Sequence, residues 1–201
     1  MRRHKNRKAR DRILDDDEIR AVWKEADGQF GDIIKLALLT AQRRSDIAKM
    51  KRTDIRDDGV WSIPKGDRAK GNGGDLALPQ VALDLIAAQP RIAGNPYVFA
   101  GRGRSAFNSW AQRKDELDEK LNFEKPWVVH DLRRTARSLM SRAGVSSEIA
   151  ERILGHAIAG VEGVYNRHQY FDEKGKALAS LATLIETIIN PPKGNVVRLA
   201  R

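Results

Sequence analysis

Cysteine is absent from the 201 residues, which rules out disulfides, thiolate metal sites and a cysteine nucleophile, and suits a reducing compartment. Also missing is any apolar run of the roughly 20 residues that a membrane span needs. The opening stretch, MRRHKNRKARDR, has charge with no apolar segment behind it, so it does not read as a secretion signal. The expectation is a soluble cytoplasmic protein with no membrane partner. There is no GxxxxGK(S/T) phosphate loop, no acidic cluster clearly suited to magnesium, and no internal repeat. Positive charge is in excess: 37 Lys and Arg oppose 27 Asp and Glu, giving a net charge of +10 and a pI near 10.0. Such a surplus points to a polyanionic partner, although charge alone suits a ribosomal or membrane-surface protein equally well.

A hydrophobic content of 41% is enough for one buried core. We divide the chain into a basic tail or linker over residues 1–13, one domain over residues 14–190 and a C-terminal tail over residues 191–201. Residues 1–12 cannot bury enough surface to order themselves, so they read as a solvated tail or a phosphate-contacting linker. Asp15, Asp16 and Asp17 precede EIRAVWKEA, the start of a capped amphipathic helix with Ile19, Val22 and Trp23 on one face. From Asp32 an apolar run through Leu39 is too continuous for a surface helix and predicts a core helix. Between Asp57 and Leu78, VWSI and LALP alternate with DDG, PKGD and GNGG, which predicts a small antiparallel sheet. Helical spacing returns in VALDLIAAQ, NSWAQRKDELDEKL and HDLRRTARSLMSRAG. The last of these puts Leu132, Ala136, Leu139 and Met140 on one face and stops at Gly144. A final amphipathic helix spans residues 172–189, with Leu178, Leu181, Leu184, Ile185 and Ile188 on its apolar face. It packs on its own domain or docks on a neighbour. The fold class is therefore mainly α with a small antiparallel β-sheet.

Four segments carry chemistry. In TAQRRSDIAKM a buried helix runs out at Thr40, leaving Arg43 at the edge of the core with Asp46 three residues on. That arginine could offer its planar fork to a phosphate, though such a pair is usually a surface ion pair. In HDLRRT, His130 and Arg133 share a helix face, a proton-exchanging group beside a permanent cation, while Leu132 points to the core. The bland alternative is helix capping plus a solvated basic face. Gly155 ends a short helix in LGH and leaves His156 exposed, with Tyr165 nine residues later. Lys70 sits at a glycine-rich hairpin tip. Each of these residues, alone, could be structural.

Taken in order, Arg43, Lys70, His130 with Arg133, His156 and Tyr165 resemble the active-site series of the tyrosine recombinases, or phage integrases. TAQRRSD resembles the first arginine box, HDLRRT the His-x-x-Arg box, and LGH with its tyrosine the last. The likeness runs from Asp15 to Ile189. Ala41 stands where the family usually has Gly, and Asp46 where it usually has Glu. Family members usually carry a separate amino-terminal domain, in place of which only residues 1–12 precede the boxes.

The resemblance implies a site-specific recombinase of phage or prophage type, at work on the bacterial nucleoid, that cleaves and rejoins double-stranded DNA through a 3′-phosphotyrosine. Tyr165 would attack, Arg43 and Arg133 would neutralise the phosphate oxygens, His130 would exchange the proton, and His156 would hydrogen-bond the phosphate. Lys70 would protonate the leaving 5′ oxygen. Energy stays in the phosphotyrosine bond, so no cofactor, nucleotide or metal is implied. The resemblance also implies a tetramer on DNA, with subunits linked by segments after the nucleophile. Tyr170 is the fallback nucleophile, and Tyr97 lies in a segment that reads as core. Two other readings are a type IB topoisomerase, which uses a similar constellation, and a non-catalytic DNA-binding module.

Overall fold

Acids at the head of a helix complement its unpaired N–H groups and the positive end of its dipole. Helix α1 (Asp16–Glu25) starts on such a signal: the Asp15 carboxylate accepts the Glu18 N–H at 2.9 Å, and the Glu18 carboxylate accepts the Asp15 N–H at 3.0 Å. Ile19 and Val22 are buried, and Trp23 packs at the margin of the core. The computed structural model describes residues 10–64, 74–156 and 170–192. Lys70 and Tyr165 lie outside the described residues.

Helix α2 (Gly28–Thr40) begins ahead of the expected Asp32. Its first turn, GQFG, holds two poor helix formers, so local propensity hides it. Gly31 lies so close to α1 that a Cβ would stand 2.4 Å from the Ala26 carbonyl carbon. As its apolar run predicts, α2 is buried almost all round, from Phe30 to Thr40. There follow α3 (Arg44–Ala48), a 3-10 turn (Arg52–Asp54), β1 (Val60–Ile63), β2 (Gly74–Ala77), α4 (Gln80–Ala87), α5 (Trp110–Leu121), α6 (Val129–Arg142), α7 (Ser147–Leu154) and α8 (Phe171–Ile189). Helix α2 forms the axis of the core and packs against α6, α3, α4, α8 and α1.

The strands pair antiparallel, Val60 with Ala77 and Ile63 with Gly74. The second strand lies two residues ahead of the expected LALP run, because Pro79 has no N–H to continue the ladder. Helix α6 carries the expected buried face of Leu132, Ala136, Leu139 and Met140, and Gly144, at φ 79, makes the turn that follows. Helix α8 covers its own domain, resting on β2, α1, α6 and α7. Leu178, Leu181, Ile185 and Ile188 are buried and Leu184 partly so. Lys174 on α8 donates to the Asp75 carbonyl of β2 at 2.8 Å. In the Pro-Tyr-Val-Phe segment Val98 and Phe99 are core, whereas Tyr97 is half-buried and bridges to Lys51.

Of the basic stretch, residues 1–9 lie outside the described residues, and its last residues touch the domain. Arg10 donates to the Pro126 carbonyl at 3.0 Å and pairs with the fully buried Asp131 at 3.3 Å, and Arg12 pairs with Glu18. The Leu14 N–H donates to Thr135 Oγ1 at 3.0 Å, so residues 10–14 are fastened along α6. Carboxylates inside the domain supply the partners that composition alone cannot reveal. Among the described residues no helix is long and apolar enough to cross a membrane.

Candidate active site

Packing of α2 on α6, and of α6 on α7, brings the end of α2, the first half of α6 and the end of α7 to one place. At their meeting point sits Arg133, only 5% exposed. Its Nη1 donates to the Ala41 carbonyl at 2.5 Å and its Nη2 to the Leu154 carbonyl at 2.6 Å. Both acceptors lie at helix C-termini, where unpaired carbonyls and the negative dipole end favour a cation. Ala41, at φ 55, is the left-handed C-cap of α2. That conformation accounts for the glycine that the resemblance leads one to expect there. The buried Gln42 adds a parallel tie, its Nε2 donating to the Thr40 and Ile153 carbonyls, each at 2.8 Å. Arg133 is thus buried, not part of a solvated basic face.

Arg43 follows in extended conformation as the N-cap residue of α3, not on the helix itself. Its side chain is 23% exposed, and its Nη1 lies 3.9 Å from Oδ2 of the buried Asp46. This is an ion pair too long for a hydrogen bond, as expected of a carboxylate one methylene shorter than Glu.

His130 stands on the first turn of α6, with part of its ring open to solvent. Partial burial disfavours its cation, and the charges of Arg134, Arg133 and Arg43 add to that, so its pKa lies below the ordinary histidine value. A neutral imidazole beside three arginines can accept a proton near neutral pH.

Gly155, at φ 68, ends α7 and presents His156. The His156 Nε2 lies 3.2 Å from Arg133 Nη2, and its Nδ1 lies 2.6 Å from Glu151 Oε2. Glu151 also accepts from Arg137 Nε at 2.9 Å, and Arg137 reaches the Ser141 and Ser147 hydroxyls at 2.7 and 2.8 Å. Burial pushes the Glu151 carboxyl up, but hydrogen bonds from Arg137 and His156 outweigh it and hold the group below its usual range. Sequence reading missed Glu151 and Arg137. The one available signal was an acid five residues before His156 on a helix that stops at glycine.

Arg43, His130, Arg133 and His156 all line one open cavity of about 730 Å³, together with Arg134, Arg137, Glu151, Asp11 and Ile13. Four of the six expected residues therefore converge, while Lys70 and Tyr165 fall outside the described residues. Tyr170, the fallback nucleophile, does not line the cavity; its ring lies 3.8 Å under the Arg152 guanidinium. Among the described residues no cluster of His, Asp or Glu is placed to hold a metal ion.

The sequence profile of the phage integrase family matches residues 10–171. The tyrosine recombinase XerA of Pyrococcus horikoshii is 24% identical over 196 residues, an alignment covering 88% of this chain and 63% of that relative. The integrase from mycobacterium phage Brujita superposes with a TM-score of 0.66 at 17% identity, covering 94% of this chain and 67% of that one. A lambda integrase dimer bound to a COC′ core site gives a TM-score of 0.61 at 22% identity, covering 76% of this chain and 60% of that one. Those superpositions show a shared fold, and the profile, spanning most of the chain, gives its kinship: the protein belongs to the phage integrase family.

Proposed function

We propose that this chain is the catalytic domain of a site-specific DNA recombinase that cleaves and rejoins strands through a 3′-phosphotyrosine at Tyr165. One observation carries the reading: Arg43, His130, Arg133 and His156, spread over more than a hundred residues, line one cationic cavity. A phosphodiester under attack gains charge on its non-bridging oxygens, so fixed cations stabilise the transition state more than the ground state. Arg133 is prepositioned by two carbonyls, and Arg43 stands beside it. His130, biased to its neutral form, takes the proton of the Tyr165 hydroxyl as its oxygen bonds to phosphorus. The bond to the 5′ oxygen breaks, and Lys70 supplies the proton that oxygen needs. Reversal of these steps with another 5′ hydroxyl rejoins the strand, with no nucleotide consumed.

Double-stranded DNA is the partner, and subunits self-associate on it, as the lambda integrase dimer does on its core site. The chain spans 63% of the length of the XerA relative, and the roles of Lys70 and Tyr165 rest on the family resemblance. Incubation with a nicked suicide substrate should trap a covalent protein–DNA adduct whose peptide map ends on Tyr165. Tyr165→Phe should bind DNA yet form none; an adduct that persists in that variant removes the assignment. A two-site recombination assay run beside supercoil relaxation separates strand exchange from a topoisomerase.

A further inference from the structure

Both ring nitrogens of His156 have partners, and the partners' chemistry fixes the tautomer. A guanidinium can only donate, so Nε2, 3.2 Å from Arg133 Nη2, is the acceptor. An ionised carboxylate can only accept, so Nδ1, 2.6 Å from Glu151 Oε2, carries the proton. Glu151 is itself held, because Arg137 donates to its other oxygen at 2.9 Å and is anchored on Ser141 of α6 and Ser147 of α7. The chain of contacts leaves α6 at Arg137, crosses α7 at Glu151, and returns through His156 to α6 at Arg133.

We propose that Glu151 is a positioning residue that sets the tautomer and ring plane of His156 and serves as counter-ion to its protonated form. This rests on the recombinase reading given above. In the arrangement seen, the Nε2 lone pair is taken up by Arg133, so the ring offers a phosphate oxygen no donor there. When a phosphate takes the Arg133 donor, Nε2 is released and accepts a proton from solvent in the open cavity, and the resulting N–H donates to a non-bridging oxygen. The groups around that imidazolium are cationic on α6, where Arg133, Arg134 and Arg137 stand with His130, and at Arg43 after α2. The acidic groups lining the same cavity are Glu151 from α7 and Asp11 from the N-terminal segment. Glu151 is the one in contact with the ring.

Two variants separate geometry from charge. Glu151→Gln keeps one acceptor oxygen, for which His156 Nδ1 and Arg137 Nε then compete, whereas Glu151→Ala removes both acceptor and charge. In imidazole ¹⁵N spectra of the DNA-free protein, His156 should be the Nδ1–H tautomer in the parent, should keep part of that preference in Glu151→Gln, and should lose it in Glu151→Ala. On the nicked substrate Glu151→Gln should form adduct about tenfold more slowly at neutral pH, from loss of a charged hydrogen bond. Glu151→Ala should be slower still, and in a His156→Asn background neither change should add to the defect. An Nε2–H tautomer in the parent overturns the proposal, as does an equal loss with or without His156. If the parent forms no adduct, the recombinase reading fails, and the tautomer still decides the role of Glu151.

Discussion

At the scale of single residues, Arg133 is both a site cation and a structural tie. Removing it leaves the Ala41 and Leu154 carbonyls unpaired in a buried place, and each such group costs about 1–3 kcal/mol. Arg133→Ala should therefore lower stability by about 2–5 kcal/mol in denaturant titrations. Arg133→Lys should lose nearly as much, since a single ammonium on a flexible stem does not reproduce the fork that joins the two helix ends. Ala41 makes an opposite case. Its left-handed backbone costs about 1–2 kcal/mol for an L-residue, but glycine there would lose a buried methyl, about 0.8 kcal/mol, and would free the unfolded chain. Ala41→Gly should shift stability by less than about 1 kcal/mol, and Ala41→Val, β-branched at positive φ, should cost more than about 2 kcal/mol; thermal melts separate the two. The identities of Arg43, His130, Arg133 and His156 were legible in the sequence because each box is local. The burial of Arg133 and the pairing of Glu151 with His156 were not, because both depend on contacts between helices.

Among elements, what could be read was what is local. The cap at Asp15, the stop at Gly144 and the faces of α6 and α8 follow from short-range chemistry and 3.6-residue spacing, and all of them formed. The first turn of α2 and the register of β2 could not be read that way. The turn holds two poor helix formers, and the strand is cut short by Pro79. Gly31 is where the first turn of α2 folds back on Ala26, the residue that caps α1. Gly31→Ala places a methyl 2.4 Å from the Ala26 carbonyl carbon, so one helix must shift. The expected loss is about 1–3 kcal/mol despite alanine's better helix propensity, measured as a lower denaturation midpoint with the helical circular dichroism retained.

The molecule as a whole should lose stability to acid in two stages. His130 has a lowered pKa, so the unfolded chain takes up its proton first as pH falls below about 6.5. Its contribution is complete above that value and declines below it, with a slope of at most about 1.4 kcal/mol per pH unit and less for a partly solvated ring. Asp16 and Glu151, lowered by hydrogen bonds from Arg142 and from Arg137 with His156, act later, as pH falls below the ordinary carboxylate range. His130→Asn should flatten the first stage and leave the second, as read by urea titrations at several pH values. The net charge of +10 predicts a steep salt dependence of DNA affinity. Arg134→Ala, on the cavity wall, should reduce the log–log slope by about one. Finally, residues 10–14 run along α6, and Asp11 and Ile13 help to line the cavity. Residue 10 is therefore held on the same side of the fold as the arginine cluster, and Asp11 adds a carboxylate among its cations. Asp11→Asn takes one negative charge from that wall and should raise the affinity for DNA at low salt, as read by titration of a labelled duplex.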